Sequence, residues 1–319
     1  MASIAQHLRS RSVHAAPGVA AAEPTPARVG SWQLLHPLGG GPLTQVYLAR
    51  PIGLSESQSA AYAIKVLREK WQKDSGALAI LAHEVQVARA VTHPHIVPIL
   101  AASLDAPPYY LAMPYFEGTS LTDLLAGETL LDLPAIFWIA RQVATGLAAL
   151  AEAEWLHGDV KPSNILVAPS GHTTLIDLGF AAPTSEPMSV ANRPVLGTIN
   201  YIAPEMLYSS LGGDSQSDVY SLGVTLFEML TGRLPFDAED VAELALQHRQ
   251  EVPGDVRSFV PHVPTRGARL VHQMLAKDPM RRPTPAELVQ RLMALEIETF
   301  AERCAIDATE LDEAAEIAE

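Results

Sequence analysis

Cysteine is almost absent from this chain of 319 residues, positive charge is outnumbered, and no apolar run is long. The lone Cys304 excludes an intrachain disulfide framework and fits a reducing compartment, so a cytoplasmic location is the expectation. Lys and Arg number 22 against 36 Asp and Glu, a net charge of −14. That balance opposes the broad basic face needed to hold nucleic acid or an anionic membrane surface. Each apolar run is broken by Gly, Pro or charge before the roughly 18–20 residues that cross a bilayer. No membrane span is therefore expected, nor does the chain show an internal repeat. Small molecules and proteins remain as partners.

What is present divides into four stretches. Residues 1–29 are rich in Ala, carry Pro17, Pro24 and Pro26, and lose apolar periodicity after about Val13; they read as a disordered leader. From "SWQLLHPLGGGPLTQVYLAR" through "AAYAIKVL" and "YYLAMPY", apolar and polar residues alternate, and "GALAILAHEVQVARAV" interrupts them at helical spacing. Five strands and one main helix are expected over 30–114. A class change at 114–118 marks a hinge. Over 119–295 the pattern is mainly helical, with helices expected in "LPAIFWIARQVATGLAALAEA" and near Val219–Thr231, Val241–Gln250, Arg266–Leu275 and Pro285–Leu295. The stretch 296–319 holds nine acidic residues against Arg303. Its Ile297, Phe300, Cys304, Ala308, Leu311 and Ala315 recur at steps of three and four, so it reads as a solvated acidic end or as a helix docking through that face.

Chemistry concentrates in a few short stretches. In "LGGGPLTQVYLA", Gly39, Gly40 and Gly41 let backbone N–H groups approach an anion, although the stretch alone reads equally well as a tight hairpin. Lys65 in "YAIKVL" lies on a strand and Glu84 on the helix after it; a buried lysine needs such a partner. "LHGDVKPSNILV" supplies Asp159, Lys161 and Asn164, and "TTLIDLGFA" supplies Asp177. Asn164 and Asp177 offer hard oxygens of the kind Mg²⁺ takes when phosphates complete its shell. "APE" at Ala203–Glu205, "DVYSLG" with Asp218 and "KDPMRRP" with Arg282 follow.

This ordered set resembles the eukaryotic-type protein kinases, most of all the bacterial Ser/Thr enzymes, over roughly Ser31–Leu295. The resemblance implies a two-lobed α+β fold, with a small antiparallel β lobe, a larger mainly α lobe and an ATP cleft between them. It places Gly39, Gly40, Gly41, Val46, Ala63, Met113, Pro114 and Phe116 around the nucleotide, with Pro114 C=O and the Phe116 backbone facing adenine. Lys65 would hold the α/β-phosphates, paired with Glu84. Asp159 would be the base, Lys161 would sit near the γ-phosphate, and Asn164 and Asp177 would take Mg²⁺ or Mn²⁺. Thr198 would shape the peptide shelf, Glu205 would pair with Arg282, and Asp218 would tie the catalytic loop.

Three departures qualify the match. Thr44 stands at the third loop glycine, with Pro42 and Leu43 at the tip. Leu178 replaces Phe after Asp177, and Gly158 replaces the usual arginine before Asp159. The last implies that no cation beside Asp159 waits for a phosphate, so phosphorylation at Thr184, Ser185 or Ser189 should not be the on-switch, although Arg193 could bind one. The implied activity is Ser/Thr protein kinase, on protein substrates and with a sensor or regulator expected as a separate protein. His-Gly-Asp also occurs in small-molecule phosphotransferases of kinase-like fold, which stand as an alternative beside a nucleotide-binding scaffold.

Overall fold

The computed structural model describes residues 28–53, 61–127, 131–184, 199–208 and 213–317, with side chains described as far as Arg303. Residues 1–27, Ser185, Ser189, Arg193, Thr198 and the side chain of Cys304 lie outside this description.

Alternating patterns build the small lobe. Strands β1 (Arg28–Val29), β2 (Trp32–Gly40), β3 (Thr44–Pro51), β4 (Tyr62–Leu67), β5 (Ala101–Ser103) and β6 (Tyr110–Pro114) form one antiparallel sheet in the order β1-β2-β3-β4-β6-β5. The expected five strands become six because Arg28 and Val29 pair with Gln33 and Trp32. Val29 is buried with Leu34, Tyr47, Ala49, Ile64, Val66 and Ala112, so Arg28 and Val29, read as leader, belong to the small lobe. A strand of two residues has no period to read. β4 is buried on both faces, because helix α1 (Ser75–Ala90) covers the side opposite that cluster through Ala77, Leu81 and Val85. Asp74 starts α1 by accepting the N–H of Ala77, a side-chain cap that satisfies one of the helix's orphan donors.

Beyond α1 the chain belongs to the other lobe before it returns to the sheet. Ile96 forms a parallel bridge with Leu175, Val97 N donates to Leu175 O and Leu175 N to His95 O, both at 2.9 Å. The lobes are thus joined here as well as through residues 115–118.

The larger lobe is helical around two buried rods. α2 (Leu121–Leu125) is short; α3 (Leu133–Glu152) starts on an Asp132 cap with Pro134 in its first turn, where proline's missing N–H costs nothing. By length and composition α3 could cross a bilayer, which run lengths alone did not disclose because Arg141 interrupts it. Here its apolar side lies in the lobe core with Ile136, Phe137, Val143 and Leu147 fully covered. α5 (Ser215–Thr231) has a reciprocal capping box between Asp214 and Ser217, and Gly232 at φ 68° closes its end, a left-handed position that suits glycine. Between α5 and the lobe surface come α4 (Pro204–Tyr208), α6 (Val241–Gln250), α7 (Val256–Phe259) and α8 (Thr265–Met274).

α9 runs without a break over Pro285–Ile317, past Leu295. It packs on α3, with Leu295 and Thr299 buried, Glu296 paired to Arg141 at 2.5 Å and Arg303 to Asp132 at 2.6 Å. Of the face read from the sequence, the two residues with described side chains do not pack on α3. Ile297 is 63% and Phe300 48% exposed, while the last four of the six named residues lie beyond the described side chains.

Candidate functional site

Short strands aim the polar groups. β9 (Ile165–Val167) lies between β7 (Thr119–Ser120) and β10 (Thr173–Leu175), and Ile176 N donates to Asn164 O at 2.9 Å. That bond sets Asn164 beside the residue before Asp177. A second pair, β8 (Trp155–Leu156) with β11 (Ala182–Pro183), brackets the same loop from outside.

Two clusters result. In the first, Lys65 Nζ meets Glu84 Oε2 at 2.7 Å and Asp177 Oδ1 at 2.9 Å. Burial opposes the ammonium, yet Asp177 and Glu84 raise its pKa above the ordinary lysine value. Asp177 is also favoured as the anion: burial would push it up, but Lys65 and the N–H of Gly179 bring it below the usual carboxylate value. Its backbone sits at φ 66°, a left-handed position open to a short polar residue.

In the second cluster, Asp159 Oδ2 receives Lys161 Nζ at 2.7 Å and Asn164 Nδ2 at 2.8 Å, and the same amide reaches Asp159 O at 2.8 Å. Asp159 Oδ1 is buried and has no hydrogen-bond partner among the described residues. An unpaired buried carboxylate oxygen is costly and points to a missing donor. Below the loop, Asp218 on α5 accepts His157 N at 2.6 Å and Gly158 N at 2.8 Å. Gly158 takes φ 75°, which costs a glycine nothing and other residues roughly 1–2 kcal/mol.

Apolar groups line the side toward the hinge: Ala63, Val97 and Met113 form one buried cluster, flanked by Val46, Phe116 and Ile176. Pro114 pairs in register with Tyr62. Gly39 and Gly40 end β2, opposite Val46 and Gln45; Gly41 turns the chain, its N–H on Thr44 O at 3.0 Å. A Cβ on Gly40 would lie 2.6 Å from Thr44 O, whereas Gly39 and Gly41 face open space.

The remaining expected residues lie apart from the cleft. Arg282 holds Glu205 with both arms, at 2.6 and 2.8 Å, and stacks on Tyr220 at 4.8 Å. Thr198 lies outside the described residues. Sequence reading missed Ser217, whose hydroxyl donates to Glu205 at 2.7 Å, and His83, whose Nε2 meets Ala181 O at 2.5 Å. No sequence signal marked the His83 contact, which joins residues 98 positions apart.

The donor set can be tested against a divalent ion. Asn164 turns its amide N–H₂ to Asp159, which leaves its carbonyl oxygen for another group, and Asp177 supplies carboxylate oxygen. No group of three or more His, Cys, Asp or Glu able to hold a metal exists among the described residues. Two hard oxygens fit an ion whose shell is completed by phosphates and water, as Mg²⁺ prefers.

The protein kinase domain profile matches residues 32–293. The chain is similar to Serine/threonine-protein kinase PrkC of Bacillus subtilis, 33% identical over 258 residues, which are 81% of this chain and 39% of the relative. It is also similar to Probable serine/threonine-protein kinase PknB of Lactococcus lactis, 29% identical across 80% of this chain and 40% of that one. Serine/threonine-protein kinase PknJ of Mycobacterium tuberculosis is 32% identical across 78% and 42%. The chain thus spans about two fifths of the length of each of these relatives. The small β lobe, the helical lobe and the profile agree: the chain belongs to the protein kinase domain family.

Proposed function

We propose that the chain is an ATP-dependent Ser/Thr protein kinase. The observation that carries this reading is the split use of Asp159: one oxygen is held by Lys161 and Asn164, and the other is buried and unpartnered. Such an oxygen suits a substrate hydroxyl. As the hydroxyl oxygen bonds to the γ-phosphorus and the bond to the β-phosphate oxygen breaks, Oδ1 receives the hydroxyl proton late. Lys65, fixed by Glu84, would hold the α/β-phosphates, and Lys161 would lie near the group in transfer. Ala63, Val46 and Met113 form an apolar slot for adenine, with the Pro114 C=O and Phe116 backbone as its polar edge. Asn164 and Asp177 are the residues that would hold Mg²⁺ or Mn²⁺, whose contribution is to neutralise phosphate charge.

Activation by a phosphate is not part of the proposal. Gly158 brings no cation, and the described start of the segment after Asp177 is held by other means. Ala182 pairs with Leu156, Thr184 N donates to Glu154 O at 2.8 Å, and His83 meets Ala181 O. Replacing Thr184, Ser185 and Ser189 together by alanine is expected to change the initial rate on an external protein by less than about tenfold, which is roughly 1.4 kcal/mol in the barrier. A larger loss contradicts it.

The deciding experiment is transfer from labelled ATP by purified protein beside Asp159→Asn, with phosphosites mapped by mass spectrometry. Phosphoserine or phosphothreonine lost in the variant is the expected result. Transfer to small molecules alone would indicate the phosphotransferase alternative, and nucleotide binding without transfer the scaffold.

A further inference from the structure

The tip of the glycine turn is tied from outside the cleft. Arg68 Nε donates to Gly41 O at 3.0 Å and Trp71 Nε1 to Pro42 O at 2.9 Å. Arg68 Nη2 also donates to Gln45 Oε1 at 2.7 Å, and Gln45 Nε2 to Gly39 O at 2.6 Å. Arg68 N reaches Leu43 O at 2.9 Å. Leu43 and Trp71 then pack on the cluster of Leu67, Ala77, Leu81 and Val85, the last three of which lie on α1 with Glu84.

Three glycines in a row do not hold a shape by themselves, since fixing each backbone residue costs roughly 1–2 kcal/mol of entropy. The N–H of Gly41 is committed to Thr44 O, and Pro42 has none. Neither amide can grip an anion, so side chains on the segment between β4 and α1 take over the work of shaping the turn. Arg68 Nε and Trp71 Nε1 land on the carbonyls of Gly41 and Pro42 and Arg68 Nη2 on the Gln45 side chain, and the open faces of Gly39 and Gly41 remain for a ligand.

We infer that Arg68 and Trp71 are positioning residues that latch the glycine turn to the base of α1, so that a phosphate-bearing nucleotide leaves only when the latch opens. The inference rests on the nucleotide site proposed above. Adenosine, which lacks phosphates, is indifferent to the latch.

Arg68→Met keeps the aliphatic stem and removes the donors; Trp71→Phe keeps an aromatic ring and removes the N–H. In the full chain, dissociation of a fluorescent ADP with Mg²⁺ is followed by stopped flow, adenosine affinity by calorimetry and the unfolding midpoint by heating. Release about three- to tenfold faster in each variant is expected, the scale of one or two lost hydrogen bonds, with adenosine affinity and midpoint as in the unaltered chain. If Arg68→Met lowers the midpoint, Trp71→Phe decides. Unchanged release overturns the latch, and so does an equal loss of adenosine affinity, which marks a general loosening of the small lobe. An unaltered chain that binds no nucleotide refutes the site itself and the latch with it.

Discussion

Gly158 shows how one residue can carry two meanings, only one of them written in the sequence. As a side chain it is the absence of an arginine before Asp159, and that much was legible. As backbone it is a left-handed residue at φ 75° whose N–H is bound by Asp218; no pattern of residue types displays a dihedral angle. Gly158→Ala should lower stability by about 1 kcal/mol through strain, read as a fall of roughly 2–4 °C in thermal midpoint. An unchanged midpoint would mean the loop relaxes. Lys65 is the opposite case: motif order put it opposite Glu84, and they meet at 2.7 Å. Lys65→Met leaves two carboxylates, Glu84 and Asp177, without their shared cation. We expect turnover to drop at least about 100-fold, the scale for a preorganised charge. Wild-type turnover would place the phosphates elsewhere.

At the scale of elements, long periodic segments were read well and contacts between distant segments were not. The helix expected near Val241–Gln250 spans those residues, with Asp240 as its cap. For α9 the period indicated a helix, but its attachment to α3 through Arg141 and the capping Asp132, over 150 positions away in the chain, was not legible. Ion pairs at that separation have no sequence signature. Thr299 and the pairs Glu296 with Arg141 and Arg303 with Asp132 make the first turns beyond Leu295 part of the folded lobe. Partly exposed pairs contribute at most about 1 kcal/mol each, so a chain stopped after Leu295 should melt lower, by up to about 8 °C. Equal midpoints would show that these turns only rest on α3.

For the molecule as a whole, the response to acid is set deep in the larger lobe. His248 is fully buried, its Nδ1 on the Tyr220 hydroxyl at 2.9 Å and its ring against Phe236. Burial, aided by the neighbouring Lys277, pushes its pKa down to about 4 from 6.5. Below pH 6.5 the unfolded chain therefore takes up a proton that the folded chain refuses until about pH 4, and folding loses stability across that window as pH falls. Midpoints measured from pH 7 to 4.5 should decline, and His248→Gln should flatten the decline whatever it does to the midpoint at pH 7. Parallel curves would exclude His248 as the cause.

The joint where Ile96 and Val97 attach to Leu175 gives α1 a fulcrum. Glu84 lies seven residues before Val91, about 10 Å up the helix axis, and Ser75 about 24 Å. A tilt of about 10° around that fulcrum moves Glu84 by about 2 Å, which takes its 2.7 Å contact with Lys65 out of hydrogen-bonding range. The free end of the lever, at Ser75, travels about twice as far. One small rotation of α1 is therefore enough to part Glu84 from Lys65.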